Sequence, residues 1–271
     1  MKRSLKYRQG LKEARRIVVK VGTRVLVQKS GRPDTRRILS LAKGIAALNR
    51  QGYEVAVVTS GAIGAGMEAL GMKDRPTALP DLQMAAAVGQ SRLMTRYDKL
   101  FASLNCLVGQ VLMTRDDFLH KVRLTNARRT IDNLLRHGVI PIINENDVVA
   151  DEEIRAVVTL GDNDMLSALL SKLIRADLLI VLSSVDGVRD QVRPGVTARI
   201  RYIETITRST YKVVTGGPSD LARGGMASKL RAAQMVSKAG VGVVIADGRK
   251  PGIIERIVRG DDVGTYILPS V

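Results

Sequence analysis

Cysteine is nearly missing from this chain. Cys106 is the single thiol in 271 residues, so no disulfide can close within the chain and a thiolate metal cluster has little to draw on. Tryptophan is absent and aromatic residues make up 3%, which leaves few stacking surfaces for single-stranded nucleic acid. The only imidazoles are His120 and His137, with no ligand set around them. No nucleophile elbow is present, which disfavours a Ser-His-Asp hydrolase. No apolar run approaches the roughly 20 residues of a membrane span, and no apolar signal segment follows the N-terminus. A cytoplasmic protein with no membrane partner is expected.

What is present is a basic chain with a sizeable core. Hydrophobic residues are 45% of the total, compatible with one large α/β domain or two small ones. The net charge is +17 and the pI near 10.4, a balance that attracts anions over long range. Most of these side chains are expected to coat solvated helix faces, so nucleic acid is not the expected partner. Met1 to Arg16 carry seven basic side chains and one acid, Glu13. Residues 1–15 read as a solvated basic arm, and 16–271 as the domain.

The first strand, Ile17-Val18-Val19-Lys20-Val21, runs into Gly22-Thr23. A lysine in such a strand is costly to bury unless it meets an anion. An edge strand with Lys20 in water would also explain it, but the glycine that follows lets a phosphate approach the turn N–H groups. Asp34 to Gln51 shows helical spacing at Ile38, Leu41, Ile45 and Leu48, closed by Gly52. Glu54 to Thr59 is the second strand, feeding Ser60-Gly61-Ala62-Ile63-Gly64-Ala65-Gly66, a small-residue loop that opens a helix. Such a helix start offers N–H groups to an anion, although the Lys-Ser/Thr ending of a P-loop is missing. Pro76 to Pro80 reads as a linker. Leu82 to Phe101 reads as a helix whose first half, Met84 to Gln90, is rich in small residues and suits close packing, including against another subunit.

Leu104 to Leu112 and Val139 to Ile143 read as strands; Pro141 in the second argues for an edge position or a bulge. That strand ends in Asn144-Glu145-Asn146-Asp147. Turn-forming residues alone would explain the cluster, but ligands of open α/β sheets sit beyond the carboxyl ends of strands. Gly161-Asp162-Asn163-Asp164 repeats the composition and opens a helix marked by Leu166, Leu169, Leu170, Leu173 and Ile174. One Asp there is explained by capping; three polar residues in a row exceed what a cap needs. Leu178 to Leu182 is a strand leading to Ser183-Ser184-Val185-Asp186-Gly187, and Arg189 to Arg208 reads as an irregular basic surface excursion with a short strand. Arg223-Gly224-Gly225-Met226-Ala227-Ser228-Lys229 opens another helix, with Lys229 one turn in and able to reach back to a phosphate. Val241 to Ala246 is the last core strand. Alternating strands and helices predict a mostly parallel sheet covered on both faces, an α/β fold of one three-layer αβα domain.

Glycine-rich turns, two lysines and two acid–amide clusters suggest phosphoryl transfer, which needs positioning and positive charge more than covalent chemistry. Lys20 and Lys229 would hold opposite sides of the moving group, with Asp164 fixing both ammonium groups. A dinucleotide fingerprint after the first strand is missing, which disfavours a dehydrogenase.

The segments Val19 to Thr23, Val58 to Ile63, Ala86 to Gln90, Gly109 to Leu112, Ile142 to Asp147, Gly161 to Asp164 with Leu166 to Ala168, and Gly224 to Lys229 resemble the amino acid kinase family, in its order and over nearly the whole chain from about Arg16. The resemblance implies that family's fold. Within the family it implies ATP-dependent phosphorylation of the γ-carboxylate of L-glutamate to γ-glutamyl phosphate, the first step towards proline. It further implies ATP and Mg2+, the ion bridging the ATP phosphates largely through water. The implied partners are a second copy in a homo-oligomer (dimer or tetramer) and glutamyl phosphate reductase. Position by position, Lys20, Asp164 and Lys229 resemble the catalytic residues. Ser60, Gly61, Ala62, Asp147 and Asn163 fall at substrate-binding positions, Asp147 holding the α-amino group. Lys20, Gly22, Ser183, Ser184, Arg223, Gly224, Gly225, Met226, Ala227, Ser228 and Lys229 fall at nucleotide-binding positions.

Two departures stand out. The family shows Thr-Asp where Ser183-Ser184 stands, so one acid near the nucleotide is missing, though Asp186-Gly187 follows. Many bacterial members carry a C-terminal PUA domain that has no counterpart in the sequence through Val271. Two alternatives stay open: another family member such as an acetylglutamate kinase, against which Ser60-Gly61-Ala62 and Asn144 to Asp147 argue, and a non-catalytic basic RNA-binding protein.

Overall fold

Strand β1 (Arg16–Val21) is buried on both faces along nearly its whole length, as a central strand of a covered parallel sheet must be. This follows from a computed structural model that describes residues 6–26, 34–149, 163–193, 196–215 and 225–270. The other strands are β2 (Glu54–Val58), β3 (Val108–Met113), β4 (Ile140–Glu145), β5 (Leu178–Ser183), β6 (Arg189–Arg193), β7 (Val196–Arg199), β8 (Tyr202–Ile203), β9 (Gly242–Asp247) and β10 (Thr265–Ile267). The helices are α1 (Thr23–Leu26), α2 (Thr35–Arg50), α3 (Ala62–Leu70), α4 (Leu79–Ala102), α5 (Arg115–Leu119), α6 (Lys121–Arg136), α7 (Asn163–Leu173), α8 (Arg208–Thr215), α9 (Met226–Ser237) and α10 (Ile253–Val258).

Eight strands form one sheet in the order β3-β4-β2-β1-β5-β9-β10-β8. Pairing is parallel from β3 through β9, and β10 runs antiparallel to β9. Strands leave β1 in both directions, β2 on one side and β5 on the other. The carboxyl end of β1 is therefore the switch point where open α/β sheets bind ligands.

The two faces carry separate apolar layers. Ile17, Val19 and Val21 of β1 join residues of α2, α4 and α10. Val18 joins residues of α6, α7 and α9. Side chains alternate along a strand, so Lys20 shares the face of Val18 and points towards the layer of α7 and α9. This parity sets up the site.

Several expectations need correction. Pro141 lies on an interior strand, because β4 is flanked by β3 and β2. The Ile140 N–H donates to Leu107 across the β3 side at 2.9 Å, so the next residue faces β2, and pairing with β2 begins only at Ile142. The missing proline N–H falls where no ladder bond is due. Residues 6–15 of the basic arm pack onto the domain rather than standing in solvent. Arg8 is buried and donates to the carbonyls of Asp261, Val263, Arg201 and Gly264 at 2.9–3.0 Å. Leu11 and Ala14 enter the core beside it. Pro80 belongs to the first turn of α4 rather than to a linker, where its missing N–H costs nothing.

The small-residue half of α4 packs within this chain. A Cβ at Gly89 would overlap the Ala62 carbonyl oxygen, and one at Gly66 the Ala85 carbonyl oxygen. Helices α3 and α4 thus touch backbone to backbone, so α3 takes up the close packing that Gly89 permits.

Candidate active site

Asp164 has no solvent exposure. It occupies the first turn of α7, where the helix dipole favours a carboxylate. Its Oδ1 lies 2.6 Å from Lys20 Nζ and its Oδ2 lies 2.9 Å from Lys229 Nζ. The lysines are themselves 5% and 13% exposed. Lys20 arrives from the end of β1, Lys229 from one turn into α9, and Asp164 from between them. A buried charge is tolerated only when paired at close range. The three groups together carry one net positive charge, suited to an anion at the mouth of β1.

Gly22 keeps that mouth open. A Cβ there would lie 3.3 Å from the Leu182 carbonyl oxygen and 3.8 Å from Lys20 Nζ. Ser60 follows β2 and donates to the Val21 carbonyl at 3.2 Å; the Thr23 hydroxyl lies 2.9 Å from its Oγ. With the Ser60 proton on Val21, Thr23 is the donor to Ser60. Gly61 takes φ +112 as it leads into α3, a conformation open to glycine and strained for other residues. Ala62 begins α3, whose first N–H groups have no partner within the helix.

Asn163 is buried and donates to the Thr59 carbonyl and, at 3.2 Å, to Asn144 Oδ1. The Thr59 hydroxyl lies 2.6 Å from the Tyr97 hydroxyl. Burial, only partly opposed by that hydrogen bond, pushes the Tyr97 phenol up to about 12. Asp147 opens a short 3-10 turn just beyond β4 and is half-buried. Ser183 ends β5 opposite Asp247 of β9, and Ser184 follows it. Burial alone would raise the Asp247 carboxyl, but hydrogen bonds from Arg249 at 2.8 and 2.9 Å hold it below the usual carboxylate range. Gly225 caps α9, and Met226, Ala227 and Ser228 form its first turn before Lys229. Arg223 and Gly224 lie outside the described residues, as do Gly161 and Asp162.

Three polar residues near this mouth carry no sequence signal of their own. Thr23 reads as the residue after a glycine, Asn144 as one member of a polar cluster, and Gln90 as the end of a small-residue run, yet Gln90 accepts from Asn144 Nδ2 at 2.9 Å. A cavity of about 310 Å³ also lies near, walled by Met113, Phe118, Leu119, Met165, Leu166 and Met235. It is mainly apolar and contains none of the predicted site residues; the charged mouth at β1 is the better place for phosphoryl chemistry.

A family model described as "Amino acid kinase family" matches residues 15–247. The chain belongs to the amino acid kinase family. Curated relatives agree with this membership. A protein named glutamate 5-kinase from Citrifermentans bemidjiense is 43% identical over 263 residues, 96% of this chain and 69% of the relative. One of the same name from Clostridium acetobutylicum is 44% identical over 96% of this chain and 97% of its own length. Among solved structures, a carbamate kinase from Giardia lamblia bound to AMP-PNP superposes with a TM-score of 0.66 at 16% identity, covering 95% of this chain and 99% of that one. A UMP kinase from Bacillus anthracis gives 0.60 at 16%, covering 95% and 97%. These two structural likenesses speak to the family's shared fold. No helix among the described residues is long and apolar enough to cross a membrane.

Proposed function

We propose that this kinase transfers the γ-phosphoryl group of ATP to the γ-carboxylate of L-glutamate, giving γ-glutamyl phosphate and ADP. The observation that carries the proposal is the convergence of Lys20 and Lys229 on Asp164 at the sheet's switch point. A carboxylate oxygen of glutamate attacks the γ-phosphorus, and the bond to the bridging oxygen breaks, leaving its electron pair on ADP. Charge spreads over the transferring group, and two ammonium groups on opposite sides stabilise it.

The engagement of Asp164 favours a carboxylate acceptor. Both of its oxygens face ammonium groups, so it is poorly placed to take a proton. An alcohol acceptor would need a base; a γ-carboxyl, with an ordinary pKa near ~4.3, is already ionised at neutral pH. Relatives named glutamate 5-kinase at 43–44% identity support the choice of glutamate.

In this reading Ser60, Gly61, Ala62, Asp147 and Asn163 hold the amino acid, with Asp147 opposite its ammonium group. Gly22, Ser183, Ser184 and the start of α9 hold the nucleotide. Magnesium would enter with ATP and offset the charge of its phosphates, and as a strongly hydrated ion it would need few protein ligands. The described residues fit no protein-only magnesium cage: no group of three His, Cys, Asp or Glu side chains comes together among them.

The test is ATP consumption with glutamate, acetylglutamate, aspartate and carbamate in turn, with hydroxylamine present to trap acyl phosphate as hydroxamate. Glutamate-dependent ADP release with hydroxamate is expected. Silence with glutamate and turnover of another acceptor would reject the assignment.

A further inference from the structure

We infer that Gln90 is a substrate-positioning residue that donates its side-chain amide to the α-carboxylate of the amino acid; the inference rests on the proposed glutamate reading. The side-chain amides beyond β2 and β4 form a directed chain. Asn163 Nδ2 donates to Asn144 Oδ1 at 3.2 Å, and Asn144 Nδ2 donates to Gln90 Oε1 at 2.9 Å. With its oxygen taken by Asn163, Asn144 must turn its NH2 group to Gln90. Gln90 must then offer oxygen to Asn144, which aims its own NH2 group away from the chain. That Nε2 is enclosed and has no acceptor among the described residues.

An enclosed donor without an acceptor is costly, and native structures rarely keep one without a use. Here the rest of the chain fixes its direction. Gly89 presses α4 backbone to backbone against Ala62, which seats the next residue beside the Ser60-Gly61-Ala62 turn. The relay thus ends in a donor held by two neighbouring elements at the substrate's proposed position.

The end of the substrate it meets follows from the sheet. Lys20 stands on β1, and Asn144 two strands away on β4, about 10 Å at the usual strand spacing. The γ-carboxylate must lie at Lys20 and Lys229 to be phosphorylated. The α end of glutamate then points towards β4, where an acceptor oxygen would satisfy Gln90.

The experiment compares kcat/KM for glutamate with that for its α-carboxamide, in the wild-type enzyme and in Gln90→Met and Gln90→Glu. Wild type should prefer glutamate. Gln90→Met should raise KM for glutamate about tenfold or more, leave KM for ATP within about twofold, and shrink the preference. Gln90→Glu repels a carboxylate and accepts from an amide, so the preference should fall by about a hundredfold or more. The preference is a ratio and is read on whatever fraction of each variant folds. A purely structural role would lower both activities together; an unchanged ratio in both variants overturns the inference while the glutamate reading stands. Wild type inert towards glutamate overturns both.

Discussion

At the scale of single residues, the site is built from charges that would be unaffordable apart. Lys20 is nearly buried within a strand of Ile and Val, and Asp164 is fully buried. Each is explained by the other, and Lys229 completes the set. The sequence exposed this much, because a lysine in an apolar strand and an acid at a helix mouth both break the pattern around them. It did not expose Tyr97, which reads as one more large residue on the buried stripe of α4. Its hydroxyl meets Thr59, the residue whose carbonyl Asn163 holds. The Tyr97 pKa, raised to about 12 by burial, means that the fold binds the neutral phenol. An unfolded tyrosine titrates near ~10. This contribution to stability is whole below that pH and is lost as pH rises towards the folded value. Chemical denaturation followed between pH 9 and 12 should show a decline that is shallower in Tyr97→Phe. Parallel slopes for the two proteins would remove Tyr97 as its source.

At the scale of elements, glycine positions decide how closely helices approach. Gly66 and Gly89 each face a backbone carbonyl oxygen of the opposing helix at a distance that no Cβ tolerates. The obstacle is main chain, which cannot swing aside as a side chain would. Gly66→Ala and Gly89→Ala should each lower unfolding stability by about 1–3 kcal/mol or more, measured by denaturant midpoint. Variants as stable as the parent would show that α3 and α4 can separate at no cost. The helix–helix contact was half legible: small residues announce a close approach, but composition does not name the surface approached. Boundaries were legible where a chemical signal marks them. Asp34 caps α2 through the Arg37 N–H at 3.1 Å, and the pattern from Ile38 to Leu48 fixed that helix. Helix α8 is short and starts at Arg208, where the basic excursion ends, with no glycine or proline to mark its beginning. Pro141 reads as an edge or bulge signal because proline lacks a donor, and it sits in an interior strand because the neighbouring ladder starts one residue later.

At the scale of the whole molecule, the chain's first described turn is tied to its last strands. Arg8 donates to four carbonyls from Arg201 and residues 261–264, and Asp262 lies 3.8 Å away. Burial lowers the Arg8 pKa, opposed chiefly by Asp262. Charge patterning could not reveal this, because a single buried arginine within a basic run looks like its solvated neighbours. Arg8→Ala would take the buried Val263 carbonyl's donor and one of two donors from the Asp261, Arg201 and Gly264 carbonyls, and should cost about 1–3 kcal/mol in thermal or chemical unfolding. A loss below about 0.5 kcal/mol would mean that water replaces the side chain without penalty. The parallel sheet and its two apolar layers were legible from alternation alone. The strand order was not, since it depends on which crossovers turn left or right of β1, and that order creates the mouth where the lysines meet. The account stands or falls on Lys20 and Lys229 acting together on one phosphoryl group. The direct measurement is glutamate-dependent turnover of Lys20→Ala, Lys229→Ala and the double variant at saturating ATP and glutamate. Each single change should lower kcat by about a hundredfold or more, and the double change should cost far less than the product of the two. Retained turnover in either single variant, or losses that simply multiply, would contradict it.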